Sequence, residues 1–449
     1  MARERSELSQ GATGRISALN SEGWGVARAT ADSKAVFVAG ALPGEVVEYR
    51  VRRRARNHDE AELVAVLEAA PDRIAPRCAH FGVCGGCALQ HLAPQSQLAV
   101  KDRELRETLR RIGKVEPRQW LAPLAGEPWG YRRRARLGAR FVHAKGRSLV
   151  GFREKLSSYV ADVEHCEVLR PEVGTLVGEL GRLVTSLSIP ERIPQIEVAV
   201  GDNQTVLVLR VLSAPTQADR GRLAAFERAH DVRILLQAGR PDQLEPVSGE
   251  KPGLWYALPR YELQIGFEPA DFIQINGAMN QLLIDRVLEL LELSPQSTVL
   301  DLFCGLGNFT LPLARRAAQV LGIEADAGLI ARATANAHRN GLGNARFHAA
   351  DLAGEGAAGR CASLAGPAAY SHVLVDPPRT GALDVLPALA LLAPRRLVYV
   401  SCHPGSLARD LGILVTQHGF TLQSAGIVDM FPHTSHVESI AVLDGPQGA

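Results

Sequence analysis

The chain has 449 residues with a formal net charge of +2, and 46% of its residues are hydrophobic against 22% charged. That length exceeds what one hydrophobic core organises, so two or three domains are expected. No apolar run is long enough to cross a bilayer, and the charged start MARERSELSQ lacks a signal-peptide core; a membrane partner is therefore not expected. The cytoplasm is the expected compartment, and a disulfide framework is not expected there.

In chain order, residues 11–69 alternate short apolar runs with Gly turns, as in GRISALNSEGWGVARAT and KAVFVAGALPGEVVEYRVRRR. Five short strands in that length predict a small OB-like barrel, a common nucleic-acid platform. Residues 70–95 are rich in Pro, Cys and Gly and read as a loop held by something other than a core. Residues 96–270 read as a central, mostly antiparallel α+β region. It opens on an amphipathic helix with a basic face, QSQLAVKDRELRETLRRIGK. From 271 to 449, apolar strands alternate with Ala/Leu-rich helices. That pattern predicts an α/β domain with a doubly wound, Rossmann-like parallel sheet.

Charge is unevenly spread. The segment 101–140 holds twelve Lys/Arg and five Asp/Glu, and VRRRARN (51–57) and YRRRAR (131–136) are dense Arg clusters. Guanidinium groups pair well with phosphate oxygens, so the clusters predict a track for a nucleic-acid backbone. A solvated surface is the plainer alternative.

The C-terminal domain carries the motifs with chemistry in them. TVLDLFCGLGNFTLPLA (298–314) reads as strand, Gly-bearing loop and helix, with Asp301 near the strand end. Gly305 and Gly307 allow a ligand close to the backbone. The third Gly of a dinucleotide fingerprint is missing. Glu324 ends the next strand, where a carboxylate can accept ribose hydroxyls, and Asp351 follows a third strand, within reach of an adenine. Ligands of open α/β sheets bind at the carboxyl ends of strands, so these positions favour S-adenosylmethionine over a dinucleotide. VLVDPPRTG (373–381) sets Asp376 rigidly at a further strand end, in reach of substrate.

Cys402, in YVSCHPGSLARD, falls at the end of the following strand. A lone cysteine is usually a small core residue. At a ligand-binding rim it has a better use. C5 of uracil is a poor nucleophile, and thiolate addition at C6 makes C5 enolate-like and able to take a methyl group. A base must then remove the C5 proton. Glu438, at the start of the final strand in FPHTSHVESIAVL, is the favoured base; His433 and His436 are rivals that spacing does not exclude.

Together DLFCGLGNFTLPLA, DPPRTG, YVSCHPGSLARD and HTSHVES resemble the RNA uracil-C5 methyltransferases over essentially the whole chain. FIQING (272–277) is similar to that family's cofactor-entry segment. The resemblance implies that Gln274, Phe303, Asn308, Glu324, Asp351 and Asp376 contact S-adenosylmethionine, that Cys402 is the nucleophile and that Glu438 is the base. His403 departs from the family, which usually has Asn after the catalytic Cys.

Cys78, Cys84 and Cys87 form a C-x5-C-x2-C pattern that Cys166 can complete as a four-thiolate site. Spacing leaves zinc and iron–sulfur both open. The resemblance implies a [4Fe–4S] cluster, because the family's subgroup with this pattern carries one. It also implies that residues 11–69 are a TRAM domain and that a specific uracil of 23S ribosomal RNA, rather than DNA, is the target. Such a uracil has to be unstacked to reach the pocket. Cys304 and Cys361 are read as structural. The competing readings are methylation of another rRNA site or tRNA, a non-catalytic RNA-binding assembly factor, and a dinucleotide-dependent oxidoreductase.

Overall fold

The computed structural model describes residues 11–28, 33–240, 243–366 and 370–446. They fall into two compact units, neither continuous in sequence. The first holds the described residues up to 101 together with 152–162 and 431–436; the second holds 102–151, 163–430 and 437 onward.

In the first unit, β1 (Ala12–Leu19), β2 (Gly25–Ala27), β3 (Ala35–Ala39), β4 (Val46–Arg54) and β5 (His58–Glu68) close a barrel in the order β1-β2-β3-β5-β4, with β3 and β5 parallel. Alternation along each strand sends Ile16, Ala27, Val38, Val47 and Ala61 inward to a small core. Buried Glu45 accepts hydrogen bonds from Leu42 N and from both Nε and Nη2 of Arg73, which fastens the chain leaving the barrel. Arg50 and Arg52 pair with Glu62, and Arg53 pairs with Glu60, across the β4–β5 ladder.

Helix α1 (Pro94–Thr108) is extended by a π-helical turn at Leu109–Gly113 and stops at Lys114, whose φ of 53° cannot continue it. After β6 (Gln119–Trp120), the second unit builds a six-stranded sheet from β7 (Arg134–Val142), β8 (Arg147–Gly151), β9 (Gln195–Val200), β10 (Thr205–Arg210), β11 (Val232–Gln237) and β12 (Leu244–Pro246). Its order is β12-β11-β10-β9-β7-β8, and only β10 and β11 run parallel, in line with the mostly antiparallel reading. Helices α2 (Pro171–Gly174), α3 (Val177–Ser186) and α4 (Gln217–His230) accompany it, and β13 (Leu254–Leu258) and β14 (Leu263–Phe267) form a hairpin. In the second Arg cluster, Arg133 and Arg134 are mostly buried and Arg136 is mostly exposed. Arg134 and Arg136 pair with Glu197, while Arg133 pairs with Asp202.

The rest alternates helix and strand: α5 (Gly277–Leu291), β15 (Thr298–Leu302), α6 (Thr310–Ala314), β16 (Gln319–Glu324), α7 (Ala327–Arg339), β17 (Ala345–Ala349), α8 (Ala357–Ala365), β18 (His372–Val375), α9 (Leu386–Leu392), β19 (Arg396–Ser401), α10 (Pro404–His418), β20 (Thr421–Val428) and β21 (Glu438–Asp444). The sheet order is β17-β16-β15-β18-β19-β21-β20-β6. Strands β15 to β19 pair in parallel; β15, β16, β18 and β19 are buried and mostly apolar, as strands covered on both faces are, whereas the edge strand β17 is partly exposed. The parallel expectation fails at one end. β21 is antiparallel to both β19 and β20; the nine-residue connection from β20 is shorter than the crossover a parallel neighbour needs. The order reverses at β15, so the ends of β15, β16, β18 and β19 surround a switch point, where such sheets bind ligands.

Candidate active site

Four consecutive ligand-side positions are set by strand ends. Asp301 lies in β15, Glu324 ends β16, Asp376 follows β18, and Cys402 follows β19. The antiparallel insertion of β21 supplies the fifth. Ser401 pairs with Ser439, so the next step of that ladder brings Cys402 to Glu438.

Burial dominates the electrostatics. Glu438 is 3% exposed, and burial, reinforced by the charge of Asp376 and opposed by Arg379, pushes its carboxyl well above the usual range. Burial also raises the Cys402 thiol, with Glu438 and Asp376 adding and Arg379 opposing. Asp376 is pushed up to about 7 by burial. The site therefore crowds three acidic groups around one guanidinium. It resists carrying three negative charges at once. Arg379 is a residue that motif reading passed over. Its signal was its place directly after the rigid Asp-Pro-Pro turn.

A second acidic set overlaps the first. Asp301 is fully buried and pushed up to about 7, by burial first and then by Asp376 and Glu324. Its Oδ2 accepts a 2.6 Å hydrogen bond from Thr310 Oγ1, whereas its buried Oδ1 has no hydrogen-bond partner. Glu324 is held by backbone amides: Oε2 accepts from Gly305 N, and Oε1 from Ala325 N at 2.7 Å. Between them, Phe303 adopts φ 65°, a strained conformation for an aromatic residue, and a side chain added at Gly305 would project into open space.

These features fit S-adenosylmethionine. Its sulfonium and ammonium charges would relieve a carboxylate cluster, and its ribose hydroxyls suit Glu324. Asn308 is held in one orientation by protein contacts. Its Oδ1 accepts from Tyr256 Oη at 2.9 Å and Asn280 Nδ2 at 2.8 Å, and its Nδ2 donates to Asn280 Oδ1 at 2.9 Å. Neither Tyr256 nor Asn280 belongs to a recognisable motif, so only the tertiary structure reveals them. Gln274 lies half-buried on the extended FIQING segment, anchored by Arg133 N to Ile275 O and by the Asn276 cap of α5. Asp351 is exposed beyond β17, its Oδ1 accepting from Ala353 N.

His403 has a structural reason. It is the N-cap of α10, and its Nδ1 accepts the Ser406 N–H at 3.1 Å. A cap acceptor is the job that Asn also does well, so the departure from the family's Asn conserves the local structure behind the thiol. Of the rival bases, His433 lies in the first unit, where Gln97 bonds both its backbone N–H and its Nδ1, whereas Glu438 lies in the second. Cys304 and Cys361 are buried, and burial raises both thiols, as structural cysteines require. In the first unit Cys84 Sγ accepts from Gly86 N at 3.4 Å, and Lys155 is desolvated close to Cys87. Among the described residues, no group of three or more His, Cys, Asp or Glu side chains is arranged to hold a metal ion. No helix among them is long and apolar enough to cross a membrane.

Comparison with known proteins agrees with this geometry. Residues 262–445 match the family model described as tRNA (Uracil-5-)-methyltransferase. A protein of Alkalilimnicola ehrlichii named 23S rRNA (uracil(1939)-C(5))-methyltransferase RlmD is 50% identical over 432 residues, covering 95% of each chain. A Stenotrophomonas maltophilia (strain K279a) protein of the same name is 49% identical over 446 residues, covering 99% of this chain and all of its own. The fold is shared with the crystal structure of Pyrococcus abyssi tRNA (uracil-54, C5)-methyltransferase in complex with S-adenosyl-L-homocysteine. That match has a TM-score of 0.71 at 24% identity and covers 96% of this chain and all of the other. With half its residues identical over nearly its whole length, this chain is an enzyme and belongs to the RlmD family of 23S rRNA (uracil-C5)-methyltransferases.

Proposed function

We propose that this enzyme methylates C5 of one uracil of 23S ribosomal RNA, uracil 1939 by the names of its relatives, through a covalent bond between Cys402 and C6. The observation that carries the reading is the ladder step that sets Cys402 beside Glu438, with Asp376 and Arg379 close enough to shift both. Bound S-adenosylmethionine would supply an electrophilic methyl group for C5. Glu324, Asp376, Asn308, Phe303, Gln274 and Asp351 would hold it.

The residues divide the remaining work. Arg379 favours the Cys402 thiolate, which bonds C6 of the uracil and drives electron density toward C5. Once sulfur becomes a neutral thioether, one of the crowded charges is gone. Ionisation of Glu438 then costs less, at the stage when a base is needed. The Glu438 carboxylate takes the C5 proton, the electron pair of that C–H bond re-forms the C5–C6 double bond, and the C6–S bond breaks to return the thiolate. Single-turnover methyl transfer to an rRNA fragment tests this. Cys402→Ala is expected to abolish it, and full activity in that variant overturns the covalent route.

The cluster reading rests on the cysteine pattern. Cys78, Cys84, Cys87 and Cys166 would hold [4Fe–4S], which would fasten a loop that has little core of its own. The Gly86 N–H on Cys84 and the desolvated Lys155 near Cys87 both favour thiolates. Iron and acid-labile sulfide assays on anaerobically purified protein test it; zinc without sulfide overturns it. The barrel, read as a TRAM domain, would bind RNA by backbone and loop shape, and the enzyme would work in the cytoplasm.

A further inference from the structure

We propose that Tyr399 and Asp410, the first and last residues of the YVSCHPGSLARD segment, are positioning residues that clamp the loop bearing Asp376 and Arg379 onto the reactive thiol. This inference rests on the covalent reading above. Neither residue is assigned a role by the motifs or by the reaction itself.

Both side chains are fully buried. Tyr399 lies in β19, three residues before Cys402, and Asp410 lies two turns into α10, after it. Asp410 Oδ2 accepts from Tyr399 Oη at 2.7 Å and from Ala382 N at 2.7 Å. The Ala382 N–H is shared with Tyr399 Oη at 3.1 Å. Arg409 closes the arrangement. Its Nε donates to Asp410 Oδ1 at 2.8 Å, and its Nη2 donates to the Thr380 carbonyl at 2.8 Å. Thus the strand before the thiol and the helix after it both grip residues 380–382, the far end of the Asp376–Gly381 loop.

Gly381 makes the grip possible. It has φ 83°, and a Cβ there would lie 2.5 Å from Asp410 Oδ2 and 2.6 Å from Arg409 Nη2. The other end of the loop is fixed by Asp376 N to Leu302 O and by two consecutive prolines. A buried carboxylate that served packing alone would not need to bond the backbone of the loop that carries the charges facing Cys402. With both ends pinned, Asp376 and Arg379 have a defined distance to the sulfur, and misplacement by about 1 Å can cost about a hundredfold in rate.

The test uses Arg409→Ala, Tyr399→Phe and Asp410→Asn in the full-length enzyme. Arg409 is part-exposed, so its variant guards against loss of folding. Each variant is assayed for thermal melting, S-adenosylmethionine affinity, single-turnover methyl transfer, and adduct formation with an RNA fragment carrying 5-fluorouridine, whose C5 has no proton to lose. The expected result is melting near wild type in Arg409→Ala, with adduct formation and methyl transfer slowed together by about tenfold to a hundredfold, well beyond any fall in cofactor affinity. Wild-type rates in well-folded Arg409→Ala and Tyr399→Phe overturn the clamp. So does a loss of rate matched by equal losses of cofactor affinity and melting temperature, which marks a purely structural network. If wild type methylates RNA without ever trapping an adduct, the covalent reading fails, and the clamp is judged on methyl-transfer rates alone.

Discussion

Cys402 and Glu438 meet because two antiparallel strands end in register: Ser401 pairs with Ser439, and the next position on each strand is Cys402 or Glu438. Thirty-five residues of chain and a whole helix–strand excursion separate them in sequence. Glu438→Gln removes the proposed base and leaves the nucleophile. Addition should then outrun elimination, and denaturing gels should show an RNA–protein adduct accumulating. Turnover without adduct would assign proton removal elsewhere.

Asp301 predicts a pH effect. Its folded value of about 7 lies above the ordinary aspartate value of 3.8, so the unfolded chain loses this proton first as pH rises. Stability is therefore present below about pH 4 and is lost as pH climbs to about 7, by an amount on the order of 2–4 kcal/mol. Asp301→Asn should raise the melting temperature of the ligand-free enzyme at pH 8 and leave it nearly unchanged at pH 4.

Tyr256 orients Asn308 without belonging to any motif. Tyr256→Phe removes one hydrogen bond of about 1 kcal/mol, and S-adenosylmethionine affinity should fall by about fivefold. Calorimetry reads this directly, and the thiol's reactivity toward RNA should be unaffected once cofactor is saturating.

His403 should tolerate Asn and not Ala. His403→Asn keeps an acceptor for Ser406 N, so melting and activity should hold; His403→Ala should cost about 1 kcal/mol in denaturant unfolding. Equal stability of the two variants would remove the capping role.

The strand ends were legible in the sequence wherever an apolar run met a polar residue. Asp301, Glu324, Asp376 and Cys402 could be ordered from that signal alone, because parallel strands buried on both faces are written as unbroken hydrophobic runs. Glu438 was legible as a candidate only. Choosing it over His433 needed the register of β21 against β19 and the engagement of His433 by Gln97. The acidic partners of the Arg clusters were hidden for a related reason. A run such as YRRRAR shows its own charges but not Glu197 or Asp202, which arrive from β9 and the turn after it.

By itself the sequence determined the kinds of element, the Gly-bearing loop after β15 and the place of Cys402 at a strand end, because hydrophobic period, glycine and proline act on their near neighbours. Tertiary structure decided which distant groups share one space: Glu438 beside Cys402, Asn280 and Tyr256 around Asn308, and Tyr399 and Asp410 on the loop of Arg379. Those pairings depend on strand order and register, which are set by burial summed over the whole sheet and leave no local mark in the chain.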